Sequence, residues 1–132
     1  MMGLKDIETV VIQAVSEIAP LESIYVKDDY PQGKIHSERV VIVVKDVSKA
    51  PIFSRGFVEV NFCVPDIDGR ADHARLQEWE SQAVNHFWDD VVGDYGDTVY
   101  RYGLYSHGIS IDEDLGCHFA NIRLLFETLN VR

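Results

Sequence analysis

Residues 57–90 read FVEVNFCVPDIDGRADHARLQEWESQAVNHFWDD, and the class of fold turns on how this stretch is parsed. Its first eight residues alternate. Phe57, Glu59, Asn61 and Cys63 fall on one face of a strand, and Val58, Val60, Phe62 and Val64 on the other. The valine–phenylalanine face is the expected core face. From about Ala71 to Val92 the period changes to that of a helix. Leu76, Trp79, Ala83, Phe87 and Val91 make one stripe, with Val84 and Trp88 beside it. Asp66 or Asp68 is the expected N-cap, with Asp72 in the first turn near the positive end of the helix dipole. Gly93 is the expected stop.

The acidic turn between strand and helix, Pro65 to Arg70, invites comparison with a cation loop. A calcium loop needs D-x-[DN]-x-[DN]-G and a bidentate Glu at its twelfth position. In DIDGRAD, Gly69 follows directly on the second Asp, so that spacing fails. A phosphate loop needs glycine-rich backbone and usually a Lys, and two acids around one glycine would repel a phosphate. The segment is therefore read as the corner where the chain changes element.

Outward from this unit the pattern continues. Upstream, Leu4, Ile7, Val11, Ala14 and Ile18 recur at helical steps, widened by Val10 and Val15, and Pro20 ends the helix. LESIYV (21–26) reads as a short strand, and KDDYPQGKIHSE (27–38) as a loop or hairpin tip. Arg39–Val47 is nearly all apolar and β-branched. That marks a central strand covered on both faces, or a strand at a subunit contact. SKAPIFSRG (48–56) breaks it. Downstream, DTVYRYGLYS, GISID and HFANIRLLFETLN read as strands separated by Gly103, Gly108 and the DEDLG turn. The order α-β-β-β-α-β-β-β, over a single domain spanning 1–132, predicts an α+β fold: a mostly antiparallel sheet with two helices packed against it.

Composition narrows the function classes. With 22 acids against 12 bases the net charge is -10. That argues against direct nucleic-acid binding and against an anionic membrane surface. No stretch approaches the length of a membrane span. MMGLKDIETVV has no basic start ahead of a long apolar run, so no secretory leader is expected, and the expected location is cytoplasmic. The two cysteines, Cys63 and Cys117, fit no C-x-x-C pattern. Cys63 in an apolar strand reads as a buried free thiol, and a Cys63–Cys117 bridge would need both geometry and an oxidising compartment.

Candidate chemistry is sparse. His36, His73, His86, His107 and His118 form no H-x-x-x-H or H-E-x-x-H pair. His73 and His86 lie well over a right angle apart around one helix axis. His107 and His118 flank a hairpin. With Cys117 and Asp112 they form an opportunistic metal set, against the plainer reading of hydrogen-bonded turn histidines. There is no G-x-S-x-G, and Ser106, His107 and Ser110 do not line up as a nucleophile and base. Asp89, Asp90, Asp94 and Asp97 would sit at a helix C-terminus, where they oppose the dipole; a solvated acidic loop is the favoured reading, a partner or cation the other. Tyr95, Tyr100, Tyr102 and Tyr105 crowd one region, as interface residues or as packing on the sheet. No catalytic, cofactor-binding or metal residue is assigned, no cofactor is implied, and the chain is not read as an enzyme.

Four segments carry a family resemblance: the helix LKDIETVVIQAVSEI (4–18), the proline loop and strand YPQGKIHSERVVIVV (30–44), the strand–turn–helix FVEVNFCVPDIDGRADHARLQEWESQAV (57–84) and the closing DEDLGCHFANIRLLFETLN (112–130). Together they resemble the phage tail-terminator or tail-completion (neck) proteins, small α+β pieces of virions and prophages. The resemblance implies a structural protein without chemistry of its own. It implies a homo-oligomeric ring, often hexameric, at the head–tail junction, with tail-tube and head-connector proteins as partners and the host cytoplasm or the virion as location. The acidic excess would then line a lumen or discourage wrong association. The alternatives are a non-phage α+β binding module for a protein or small-molecule partner, and, third, a metal-assisted enzyme using the histidines and late acids.

Overall fold

A computed structural model describes residues 2–45 and 53–130. Its elements are α1 (Leu4–Val15), β1 (Ile24–Val26), β2 (Arg39–Val44), β3 (Phe53–Pro65), α2 (His73–His86), β4 (Val91–Tyr95), β5 (Thr98–Asp112) and β6 (Cys117–Asn130). This is the expected α+β order. The six strands form one sheet, β1-β2-β3-β6-β5-β4, antiparallel except where β1 runs parallel to β2. Asp46 and Val47, the end of the expected apolar strand, lie outside the described residues, as does 48–52. Phe53–Gly56, expected to belong to the break, instead begin β3.

The two faces of the sheet differ. Val58, Val60, Phe62 and Val64 of β3 are buried with Val40 and Ile42 of β2 and Ala120, Ile122, Leu124 and Phe126 of β6. Both helices cover this face. α1 supplies Ile7, Val10, Val11, Ala14 and Val15, and α2 supplies Leu76, Trp79 and Ala83, the inward stripes of each 3.6-residue repeat. Phe62 stacks on Trp79 with centroids 4.9 Å apart. On the opposite face a second, smaller cluster joins Ile35, Val41, Cys63, Leu115 and Cys117, with Tyr30, Val43 and Phe119 packed against it. β2 is thus covered on both sides along Val40–Ile42, which accounts for its unbroken apolar run.

The chain corner is a two-residue turn. Ile67 and Arg70 exchange backbone hydrogen bonds at 2.8 and 3.0 Å. Asp68 and Gly69 between them both take positive φ, 50° and 74°, the backbone that Asp-Gly adopts most readily. The helix cap lies further on than expected: Asp72, not Asp66 or Asp68, is the N-cap, and its Oδ1 accepts the Arg75 N–H at 3.3 Å.

Three expectations for the second half are corrected. α2 ends at His86, not Val92. Gly93 is not its stop but the middle of β4, opposite Tyr100. A Cβ at Gly93 would collide with the Tyr100 ring, so the glycine makes room for an aromatic side chain rather than ending a helix. Gly103 and Gly108 do not separate strands either. β5 runs through both, with one bulge between Leu104 and Ser106.

Candidate functional site

Past the small second cluster, the helix-free face of the sheet carries a row of polar and aromatic side chains. Its members come from the same alternation that built the core. With Val58, Val60 and Phe62 inward, Phe57, Glu59 and Asn61 must face out. The pairing of β3 with β6 sets Arg123 opposite Glu59 and Asn121 opposite Asn61. Glu59 accepts hydrogen bonds from Lys45 Nζ at 3.1 Å, Arg123 Nη2 at 3.2 Å and Asn121 Nδ2 at 3.2 Å. The same Asn121 amide nitrogen donates to Asn61 Oδ1 at 2.7 Å. The Arg123 guanidinium lies 5.4 Å from the Phe57 ring centre, and Phe57 meets Tyr105 at 4.8 Å. Arg101 Nη2 donates to Glu127 Oε1 at 2.7 Å farther along this face.

Burial raises the Glu59 carboxyl, but the hydrogen bonds from Lys45, Asn121 and Arg123 outweigh it and hold the group below the ordinary Glu range. A carboxylate kept ionised and saturated with three donors is a poor proton donor and a weak base. Its role here is to pin Lys45, Asn121 and Arg123 in place. Arg123 Nε, buried beneath this network, has no partner among the described residues. Two shallow depressions lie over the row. One of about 380 Å³ is lined by Glu59, Ser106, Phe119, Asn121 and Arg123; one of about 230 Å³ by Lys27, Tyr30, Lys45, Glu59 and Phe119.

The sequence-level candidates are placed separately. His107 Nδ1 lies 2.8 Å from Glu80 Oε2 of α2, and His118 Nδ1 lies 2.8 Å from Asp66 Oδ1 at the corner. His86 Nε2 lies 2.9 Å from the Ala14 carbonyl, joining the end of α2 to α1. The metal set of His107, His118, Cys117 and Asp112 does not assemble. Cys117 and Asp112 oppose each other in register, but His118 pairs with Ile111 on the other face, and His107 is held by Glu80. Among the described residues no three His, Cys, Asp or Glu side chains gather as metal ligands.

Cys63 and Cys117 are near each other, both buried and free in the second cluster. The hydrogen bond with Cys117, together with burial, pushes the Cys63 thiol far up. Of Asp89, Asp90, Asp94 and Asp97, only the first two follow the end of a helix. Asp89 and Asp90 lie in the link after α2, Asp94 on β4, and Asp97 in the β4–β5 turn. The tyrosines divide between faces. Tyr100 and Tyr102 stack on Phe126, each 5.6 Å away, as packing under the helices, whereas Tyr105 joins the polar–aromatic row.

β5 also presents an open edge. β4 pairs with it only along Thr98–Tyr102, and the Leu104 N–H donates to the Phe87 carbonyl at 3.1 Å. Beyond that point, among the described residues, β5 has a strand only on its β6 side. Tyr105, Ile109 and Ile111 stand exposed there. Sequence reasoning missed both this edge and the row. Outward Glu59 and Asn61 were legible from alternation, but Asn121 and Arg123 join them only through the β3–β6 register. No helix among the described residues is long and apolar enough to cross a membrane. No family model matches the chain, and no curated protein matches it.

Proposed function

We propose that the chain is a structural assembly protein of the tail-terminator or tail-completion type, acting as an oligomeric ring at a head–tail junction without chemistry of its own. One observation carries the reading most: three of the five imidazoles and the best-placed carboxylate are tied up in structural contacts. Three imidazoles are tied to three different elements, and the best-placed carboxylate, Glu59, is saturated by cations and an amide. What the molecule offers instead is a two-faced sheet with one broad polar–aromatic face, the equipment of a subunit that meets neighbours. Deleting the gene from its phage or prophage tests the proposal. Heads and tails that accumulate unjoined, rescued by the gene in trans, support it; intact virions from the deletion refute it.

The depression over Glu59, Asn121 and Arg123 favours a second reading, a binding module for a protein or small-molecule partner outside any virion. Gene neighbours discriminate, since capsid, portal and tail genes on either side belong only to the first reading.

A further inference from the structure

We propose that the outer edge of β5 is a self-docking edge, on which two copies of the chain pair antiparallel about a two-fold axis at Ile109 and run their sheets together. This pairing depends on the edge itself and is independent of any role in a virion.

Sheet edges in soluble proteins are normally blunted by lysines, prolines, inward charges or shortness. The edge at β1 is three residues long, and β4 is five residues long and carries Asp94. Along β5, Tyr105–Ile111 has no Lys, Pro or carboxylate, and its one imidazole, His107, is bonded to Glu80 of α2. Exposed on it are Ile109 at 43% and Ile111 at 52%. Thr98–Ile111 is also the longest run without an acid in a chain of net charge -10. Two copies repel each other over most of their surfaces, and here they meet the least of it.

The second copy is identified by the register. Antiparallel pairing keeps like faces together only when the paired numbers sum to an even value, because side chains alternate. The regular stretch beyond the bulge, Ser106–Asp112, has Ile109 at its centre. Pairing about that residue puts Ile109 against Ile109 and His107 against Ile111 on the helix side. On the other side it puts Gly108 against Ser110 and Ser106 against Asp112. The exposed isoleucines of both copies form one apolar row, and the only carboxylate on the paired strands, Asp112, meets a hydroxyl. A contact of this length falls short of a standard stable interface, so the dimer is weak and depends on concentration.

Light scattering on the full chain over a concentration series tests this, with Ile109→Val, Ile109→Lys and Ile109→Cys beside the wild type. The mass rises from 15.0 kDa toward twice that value in the wild type and in Ile109→Val. Ile109→Lys places like charges opposite each other and weakens association by about tenfold or more while melting like the wild type. Oxidation links Ile109→Cys across the axis but leaves Ile67→Cys, exposed on the distant corner turn, unlinked. If Ile109→Lys fails to fold, the cysteine pair carries the test. Three results overturn the proposal: a wild type monomeric throughout, an oligomer that folded Ile109→Lys leaves intact, or Ile109→Cys that does not link. None of them bears on the gene-deletion phenotype.

Discussion

Truncating Phe62 to alanine tests the packing of helix on sheet. Phe62 is almost fully buried in the middle of β3, with Val40 opposite on one side and Ala120 on the other. Hydrogen bonds on both sides fix its backbone, so the site cannot collapse into the space the ring leaves. A buried Phe→Ala change costs about 3–5 kcal/mol, and this rigidity puts the expected loss toward the upper end, about 4 kcal/mol. That is a large share of the roughly 5–15 kcal/mol that stabilises a domain. With a urea slope of about 1–3 kcal/mol per molar, the unfolding midpoint falls by about 2 M. The assay is equilibrium urea unfolding followed by tryptophan fluorescence in a Trp88→Phe background. Trp88 is 68% exposed and carries little packing signal, whereas Trp79, at 7%, lies against Phe62. Combining Phe62→Leu with Trp79→Leu should reveal a coupling of about 0.5–1.5 kcal/mol from the stacked rings. A Phe62→Ala cost under about 1 kcal/mol, or strict additivity of the pair, would refute the packing described.

Three further outcomes follow from particular side chains. Glu38 takes hydrogen bonds from Arg75 at 2.6 and 2.8 Å and from Trp79 at 3.2 Å, and the Arg75 bonds hold its carboxyl below 4.5. Its contribution is therefore complete at neutral pH and lost as the pH falls below that value through the lowered folded pKa. Because both partners are about one-third exposed, Glu38→Gln should remove about 1 kcal/mol or less, and only above that window, in urea melts run from pH 3 to pH 7. Gly93→Ala pushes Tyr100 out of its stack with Tyr102 and Phe126. It should cost about 1–3 kcal/mol and change the near-ultraviolet dichroism, and adding Tyr100→Leu should restore part of the loss. The Cys63 thiol, buried and held protonated, should not react with an aromatic disulfide reagent at pH 8 in the native chain, and both cysteines should react in urea; rapid labelling of folded protein at Cys63 would contradict its burial.

The parts legible in the sequence were those where one local period met one buried face. Val58, Val60, Phe62 and Val64 alternate because the sheet has a helix-covered side, and Leu76, Trp79 and Ala83 repeat because α2 lies on it. The reading failed where two periods overlapped. Phe87, Trp88 and Val91 prolong the helical stripe on paper, yet Trp88 is exposed and Val91 opens β4. A signal was available: Gly96, with φ 59°, and Asp97 join Tyr95 to its partner Thr98 as a two-residue hairpin loop. Gly103 and Gly108 resemble breaks in the sequence because glycine is the commonest turn residue. At Gly103 the missing Cβ instead admits Asp90. The polar–aromatic row was hidden for a different reason. Glu59 and Arg123 are 64 residues apart, and only the register between their strands makes them neighbours.

The proposed role is that of a structural ring piece. Cryo-electron microscopy of the neck of the assembled particle tests it most directly. The expected result is a ring of copies of this chain between tail tube and head connector, its sheet-and-helix body recognisable in the density. A neck fully accounted for by other proteins, with this chain nowhere in the particle, would contradict it.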